Sequence, residues 1–359
     1  MKKFLSLLLL ATILLGLVAC GSSVGNDSTE FTTDEPTTED NVTTEPVTTE
    51  PETTTEPEVT TEPVIEEEKF VYKHVVIVGI DGMGAYHKNA NTPNMDRIFA
   101  DYAFTDVAQT YAPVASGPSW LSMMTGVDPY VMRVTKNAED NVAIKRYSDA
   151  LAKYDTLFTL VHDTYPDATI ASITGYEPMQ KYIWNDEDYI YKQYDYREWW
   201  SNAENTEKAV DYIENLDLSK PSFTFIYYIE PDSTGHKYEW GSEQFNSVLT
   251  ECDAGLGAIF DACEARGMLD DTLFIMATDH GGEGTKHGLI MTPAALTITL
   301  GFRGKTVNNV KDFNMIFRDI APMVVEAMGL QPGSKWSTLS APPVVPEGVF
   351  TDLYIRREE

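Results

Sequence analysis

Residues 73–84 read Lys-His-Val-Val-Ile-Val-Gly-Ile-Asp-Gly-Met-Gly, and this stretch decides the fold. Val75 to Ile80 is a continuous apolar, largely β-branched run bounded by glycines, and it is short for a helix. A strand buried on both faces of a parallel sheet has this composition, because neither face meets water. The run delivers Asp81 to its carboxyl end, ahead of the turn Gly82-Met83-Gly84. In open α/β sheets that edge is where ligands collect. Taken alone, Asp81-Gly82 also fits a plain turn.

Working outward, further strands are predicted at Ala168–Ile173, Ser222–Ile229, Thr272–Ala277 and Leu296–Gly301. Helices are predicted from a cap at Thr92 or Asn94 to about Ala103, and over Asp155–Tyr165, Thr206–Leu216, Glu243–Arg266 and Phe313–Met328. Strands alternating with helices give an α/β fold with a mostly parallel central sheet and helices on both faces. Between the first two strands, Pro113 and Pro118 bracket Ser116-Gly117, and helix-compatible residues resume at Trp120–Met124. That puts Ser116 in a turn just ahead of a helix N-terminus, where free backbone N–H groups can receive an anion. Tyr176 to Trp200 interleaves Tyr182, Trp184, Tyr189, Tyr191, Tyr194, Tyr196, Trp199 and Trp200 with acidic residues. It suits a cap or loop over the sheet, whose aromatic rings either pack that cap down or stack on a ring-bearing substrate.

At 359 residues the chain has ample length for a large core. It opens with Lys2, Lys3 and an apolar run from Phe4 to Val18, the pattern of an export signal. Leu17-Val18-Ala19-Cys20 followed by glycine resembles the lipobox of bacterial lipoproteins, which implies that Cys20 becomes a lipid-modified mature N-terminus. Gly21 to Glu68 repeats Thr-Thr-Glu-Pro at 43–46, 48–51, 54–57 and 60–63. So acidic and proline-rich a segment cannot bury enough surface to fold, and it is predicted to be a disordered, extended stalk. The remaining cysteines, Cys252 and Cys263, lie eleven residues apart in a helical stretch, roughly 16 Å at helical rise and too far to bridge. A net charge of −30 argues against nucleic acid as a partner.

Three of the apolar strands end in loops rich in aspartate and histidine: Asp81, then Asp232 with His236, then Asp279-His280 with His287 close behind. Half of the six histidines fall in these loops. Carboxylate and imidazole together suit a divalent metal ion, zinc first, with manganese or another divalent ion also compatible.

Gly79-Ile80-Asp81-Gly82, Thr92-Pro93-Asn94-Met95-Asp96, Ser116-Gly117-Pro118-Ser119 with Thr125-Gly126, Pro231-Asp232-Ser233-Thr234-Gly235-His236 and Thr278-Asp279-His280-Gly281-Gly282 occur in this order. Together they resemble the alkaline phosphatase superfamily, specifically its type I phosphodiesterase/nucleotide pyrophosphatase branch, over about residues 71–335. The resemblance implies two divalent metal ions, most simply zinc. Asp81, Asp279, His280 and the nucleophile hydroxyl would hold one; Asp232, His236 and His287 would hold the other. It also implies a serine or threonine nucleophile two residues before the loop proline. That position is Ser116 here, with Ser119 and Ser122 as competing hydroxyls. An asparagine some twenty residues on, matched by Asn137, would bind a phosphoryl oxygen. Two departures stand out. His287 lies only seven residues after His280, as in short bacterial members, and Val131 to Asn137 lacks the histidine often found before that asparagine.

A sulfatase is the nearest rival, but Trp120 stands where those enzymes carry arginine, and the Asp232, His236 and His287 set would be surplus. Phosphomonoester hydrolysis, transfer of a phospho-group between envelope polymers, and a non-catalytic binding lipoprotein complete the alternatives. The expectation is a metal-dependent phosphodiesterase acting through a phosphoseryl intermediate on a small phosphodiester or nucleotide-like substrate. It would be exported and lipid-anchored at the outer face of the bacterial cell membrane. The expected domains are a lipoprotein signal peptide at 1–20, a linker at 21–69, a catalytic domain at 70–345 and a tail at 346–359. Within the catalytic domain, about 138–205 is expected to be partly cap-like.

Overall fold

A computed structural model describes residues 70–112, 114–176, 178–183, 188–193, 201–288, 291–331 and 346–351. Cys20, the signal segment and the stalk lie outside these residues, as do Trp184, Tyr194, Tyr196, Trp199 and Trp200 of the aromatic stretch. Among the described residues seven strands form one sheet: β1 (His74–Ile80), β2 (Ala103–Gln109), β3 (Thr169–Thr174), β4 (Ile190–Gln193), β5 (Ser222–Tyr228), β6 (Thr272–Ala277) and β7 (Thr297–Arg303). Their order is β2-β7-β6-β1-β5-β3-β4. β1 runs parallel to both β5 and β6, and β3 runs parallel to β5 and β4. β7 is antiparallel to β6 and to β2. The sheet is therefore mostly parallel, with an antiparallel margin.

The helices are α1 (Pro93–Phe99), α2 (Ser116–Thr125), α3 (Pro129–Met132), α4 (Asn141–Lys153), α5 (Leu157–Thr164), α6 (Pro178–Ile183), α7 (Asn202–Glu214), α8 (Glu230–Tyr238), α9 (Glu243–Ala265), α10 (Pro293–Leu296) and α11 (Ile320–Ala327). They cover both sheet faces. Along β1, Val75 and Ile77 join the cluster that holds residues of α2, α5 and α11, while Val76, Val78 and Ile80 join residues of α1, α7 and α9. Strand side chains alternate between faces, so a strand covered twice is apolar on both sets of alternating positions. All seven residues of β1, of β5 and all six of β6 are buried.

The structure corrects several sequence expectations. The loop predicted after β5 is the helix α8, which Pro231 permits because proline at a first turn removes no helical hydrogen bond. The predicted helix to about Ala103 ends at Phe99, and β2, unpredicted, begins at Ala103. Neither Thr92 nor Asn94 caps α1 through its side chain. Asp253 of α9 does so instead, accepting the N–H groups of Asn94 at 3.0 Å and Met95 at 2.7 Å. The stretch expected to be a cap contributes α6 and the edge strand β4. The predicted closing helix is shorter, a 3-10 turn at Phe317–Asp319 running into α11.

Cys252 and Cys263 are buried, unpaired thiols in α9. Residues 346–351 return to the fold: Val349 is buried, and Phe350 bridges Val307. No helix among the described residues is long and apolar enough to cross a membrane.

Candidate metal centre and nucleophile

Three adjacent strands, β6, β1 and β5, point their carboxyl ends at one edge of the sheet. Asp81 follows β1 directly, Asp279 and His280 follow β6, and α8 begins two residues after β5 with Asp232 and His236 one turn apart. Parallel pairing brings together residues far apart in the chain. Two donor groups result, Asp81 with Asp279 and His280, and Asp232 with His236 and His287; within each, the potential ligand atoms lie within 4.8 Å of one another. The first group is wholly buried, whereas His236 of the second is exposed.

All three imidazoles are oriented alike. Nδ1–H of His280 donates to Gly281 O, of His236 to Thr285 O and of His287 to Val114 O, each at 3.0 Å. A carbonyl can only accept, so Nδ1 carries a proton in each ring, and in the neutral imidazole Nε2 presents a lone pair to the site. His280 Nε2 lies 3.5 Å from Asp81 Oδ1 and 3.4 Å from Asp279 Oδ2. Asp232 Oδ1 lies 3.3 Å from His287 Nε2 and 3.6 Å from His236 Nε2. Asp232 Oδ1 and Asp279 Oδ2 are buried without a hydrogen-bond donor. Buried carboxylate oxygens lacking donors, facing imidazole lone pairs, are the arrangement a divalent cation completes. The residues fit the metal that the resemblance implies.

The electrostatics agree. Burial, then the charge of Asp232, pushes Asp81 up to about 7. Burial and the charge of Asp81 push Asp279 well above the usual carboxylate range. Burial pushes Asp232 up as well, but His287, His280 and His236 together hold it below its ordinary value. Burial carries His280 down to about 3.

Ser116 begins α2 and lies inside the helix, not in a turn ahead of it as expected. Its Oγ meets the inner group, 3.2 Å from Asp81 Oδ1 and 3.1 Å from His280 Nε2. The competing hydroxyls are placed elsewhere: Ser119 Oγ pairs with Thr110 Oγ1 at 3.3 Å, and Ser122 is fully buried in the helix. The next backbone N–H, Gly117, is not open to an anion, because it donates to Asn137 Oδ1 at 2.9 Å. That bond fixes the Asn137 amide beside Ser116 and leaves its Nδ2 as the donor end. Gly117 has to be glycine here, since a Cβ would stand 2.3 Å from the Tyr147 hydroxyl.

Sequence reasoning missed the residues behind the ligands. Trp120 Nε1–H donates to Asp81 Oδ2 at 3.2 Å, and the Tyr227 hydroxyl donates to the same oxygen. Trp120 lies one helical turn past Ser116, and Tyr227 shares a strand face with Phe223 and Phe225, spacings that could have suggested both. Gly82 N–H donates to Asp279 Oδ1 at 3.0 Å with φ +72°, conformational freedom that glycine supplies. Trp240 Nε1–H donates to Gly82 O at 2.7 Å. Of the aromatic stretch, Tyr176 reaches the site, its ring stacked on Tyr227 at 6.4 Å.

The sequence profile described as type I phosphodiesterase / nucleotide pyrophosphatase matches residues 75–301. The chain is similar to venom phosphodiesterase 2 of Crotalus adamanteus, 33% identical over 79 residues, which is 21% of this chain and 10% of the venom protein. The match thus spans about a tenth of that relative's length. The fold is similar to murine ectonucleotide pyrophosphatase/phosphodiesterase 5 in complex with AMP, with a TM-score of 0.59 and 13% identity over 72% of this chain and 95% of that one. It is equally similar to a 2-O GAG sulfatase, with a TM-score of 0.60 and 12% identity over 74% and 72% of the two chains. The chain belongs to the type I phosphodiesterase / nucleotide pyrophosphatase family.

Proposed function

We propose that the protein is a divalent-metal-dependent phosphodiesterase in which Ser116 forms a transient phosphoseryl ester. The observation that carries this reading is the meeting of Ser116 Oγ with Asp81 and His280, at 3.2 and 3.1 Å. Asp81, Asp279, His280 and Ser116 would hold one ion, and Asp232, His236 and His287 a second, with zinc the best match to these donors. When bound, such ions supply the Lewis acidity that lowers the pKa of a serine hydroxyl and neutralises charge on phosphoryl oxygens.

The chain's own groups do the rest. Ser116 Oγ bonds to phosphorus while the bond from phosphorus to the leaving oxygen breaks. The serine proton passes to solvent, and the departing alcohol gains one. Water then cleaves the phosphoseryl ester, restoring the hydroxyl and releasing a phosphomonoester. Asn137, held by Gly117, turns Nδ2 toward a phosphoryl oxygen, and Trp120 and Tyr227 keep Asp81 aimed at Ser116.

A small phosphodiester of nucleotide-like chemistry is the proposed substrate, supported by the family and by the AMP complex of the murine relative. The signal-like start and Leu17-Val18-Ala19-Cys20 support export and lipid anchoring at the outer face of a bacterial cell membrane. Labelled palmitate should enter the wild-type chain and not Cys20→Ser.

The function is tested by comparing metal-reconstituted wild type and Ser116→Ala on a bis-aryl phosphate, an aryl phosphate and an aryl sulfate. The diester should be preferred, and Ser116→Ala should lose about a thousandfold or more in kcat. Diester turnover retained in Ser116→Ala overturns the nucleophile. A preference for the monoester moves the enzyme to phosphomonoester chemistry, and a preference for the sulfate moves it to a sulfatase.

A further inference from the structure

Trp240 belongs to none of the motifs above, yet it touches every segment that supplies the outer donor group. Its ring is 6% exposed. Its backbone N–H donates to Gly284 O at 2.8 Å, and its indole N–H to Gly82 O at 2.7 Å. Edge-on contacts join the ring to His236 at 5.1 Å and to His287 at 5.8 Å.

Two glycines make room for the ring. A Cβ on Gly235 would lie 2.6 Å from Trp240 Cδ2, and one on Gly282 would lie 2.4 Å from the same atom. Gly235 sits inside α8, between Asp232 and His236, where glycine weakens a helix and has to be justified by packing. The third partner, Gly82, packs on the other side of the group: a Cβ there would stand 2.9 Å from Asp232 Cα. One indole thus ties α8, which carries Asp232 and His236, to the 282–287 segment, which carries His287, and to the turn after β1.

We propose that Trp240 is a positioning residue that preforms the Asp232, His236 and His287 set, so that its loss weakens divalent-ion binding there and spares the Asp81, Asp279 and His280 set. This rests on the reading that both sets bind divalent ions. Trp240 itself offers no ligand atom; it acts by holding the segments that do. Indirect supports of this kind set metal affinity over a range of about 10–100-fold.

The test is calorimetric titration of zinc, or of cobalt followed by its visible absorption, into the chelator-stripped full chain. Wild type is compared with Trp240→Phe, which keeps a ring and loses the indole N–H, with Trp240→Leu, and with Gly235→Ala, which pushes a methyl into the indole. Wild type should take up two ions. The variants should bind one ion as wild type does and the second about 10–100-fold more weakly, with Phe affected least. A purely structural role would lower the melting temperature and leave the ratio of the two affinities unchanged, and that result overturns the proposal. Uptake of both ions at wild-type affinity by all three variants overturns it as well. If wild type takes up no ion, both this proposal and the metal-dependent reading fall.

Discussion

The Nε2 atoms of His236 and His287 face each other at 3.0 Å while the Nδ1–H of each ring donates to a backbone carbonyl. Two neutral imidazoles held this way set lone pair against lone pair. The contact is favourable only with a cation or a proton between them. Asp232 Oδ1, buried and without a hydrogen-bond donor, faces the same gap. The fold thus concentrates negative charge and lone pairs at a point where a divalent ion relieves both.

Metal removal should therefore reduce stability as well as activity. With three carboxylates, Asp81, Asp232 and Asp279, gathered at one strand edge, the stripped chain keeps their repulsion and loses the compensating charge. Treatment with a chelator should abolish turnover of a bis-aryl phosphate and lower the melting temperature by several degrees. An ion present at a hundred times its Kd contributes about 2.7 kcal/mol. Re-addition of zinc should restore both, as measured by scanning fluorimetry and rate assay on one sample. An unchanged melting temperature across stripping and re-addition would contradict the two donor groups as ion sites.

The two groups differ in exposure, and their histidines should respond differently. His280 is fully buried beside Ser116, so His280→Ala should remove one bound ion and nearly all turnover. His236 is exposed at the rim, with its ring set against Trp240 and His287. His236→Ala should retain the inner ion, lower kcat by about a hundredfold and, with metal stripped from both, fold as stably as wild type. Metal content by atomic emission, read beside the rate, separates these outcomes. Loss of both ions in His236→Ala would show that the groups do not bind independently.

The parts of the fold that sequence made legible are those whose physics is local. β1, β5 and β6 are buried on both faces, so most positions are apolar and the run stands out, and the aspartates and histidines at their ends are conspicuous against it. β2 was hidden because Thr105, Asp106 and Gln109 dilute its pattern; Asp106 is there to accept from Thr299 Oγ1 and to meet His87, contacts set by the fold. α8 read as a loop because Pro231 and Gly235 both count against a helix, one harmless at the first turn and the other required by Trp240. Trp120, Tyr227 and Trp240 each donate a hydrogen bond to a group more than 30 residues away in the chain, so local spacing could place Trp120 and Tyr227 on the right faces but could not name their partners.

Asp81 carries a pH signature. In the folded, metal-free chain burial and Asp232 push it up to about 7, so the folded state keeps a proton that the unfolded state releases near 3.8. Stability from that proton is present at low pH and is lost as pH climbs from about 4 through about 7. Asp81→Asn removes the ionisation while keeping an oxygen for Trp120 and Tyr227. The metal-free variant should melt several degrees above metal-free wild type at pH 8, and the gap should narrow toward pH 5. In the presence of zinc the order should reverse, because the variant has lost a ligand. A gap independent of pH would mean that Asp81 does not titrate in this range.

Gly117 and Asn137 make the last test, since their 2.9 Å bond is the link between the loop after α3 and the serine helix. Asn137→Ala removes the donor end proposed to face a phosphoryl oxygen and also leaves Gly117 N–H unpaired. Gly117→Ala keeps Asn137 but drives a methyl to 2.3 Å from the Tyr147 hydroxyl and 3.1 Å from Asn137 Oδ1, so Tyr147 or the loop has to move. Tyr147 otherwise donates to Lys136 O at 3.0 Å, one residue before Asn137, and a shift there displaces the amide too. Both variants should bind the full complement of metal and lose about 10–100-fold in kcat, with KM changed far less, because the lost contact belongs to the transition state. Asn137→Asp, which keeps the acceptor for Gly117 and replaces the donor with a charge, should be slower than Asn137→Ala. If instead Asn137→Asp matched wild type, the asparagine would serve only to fasten the loop.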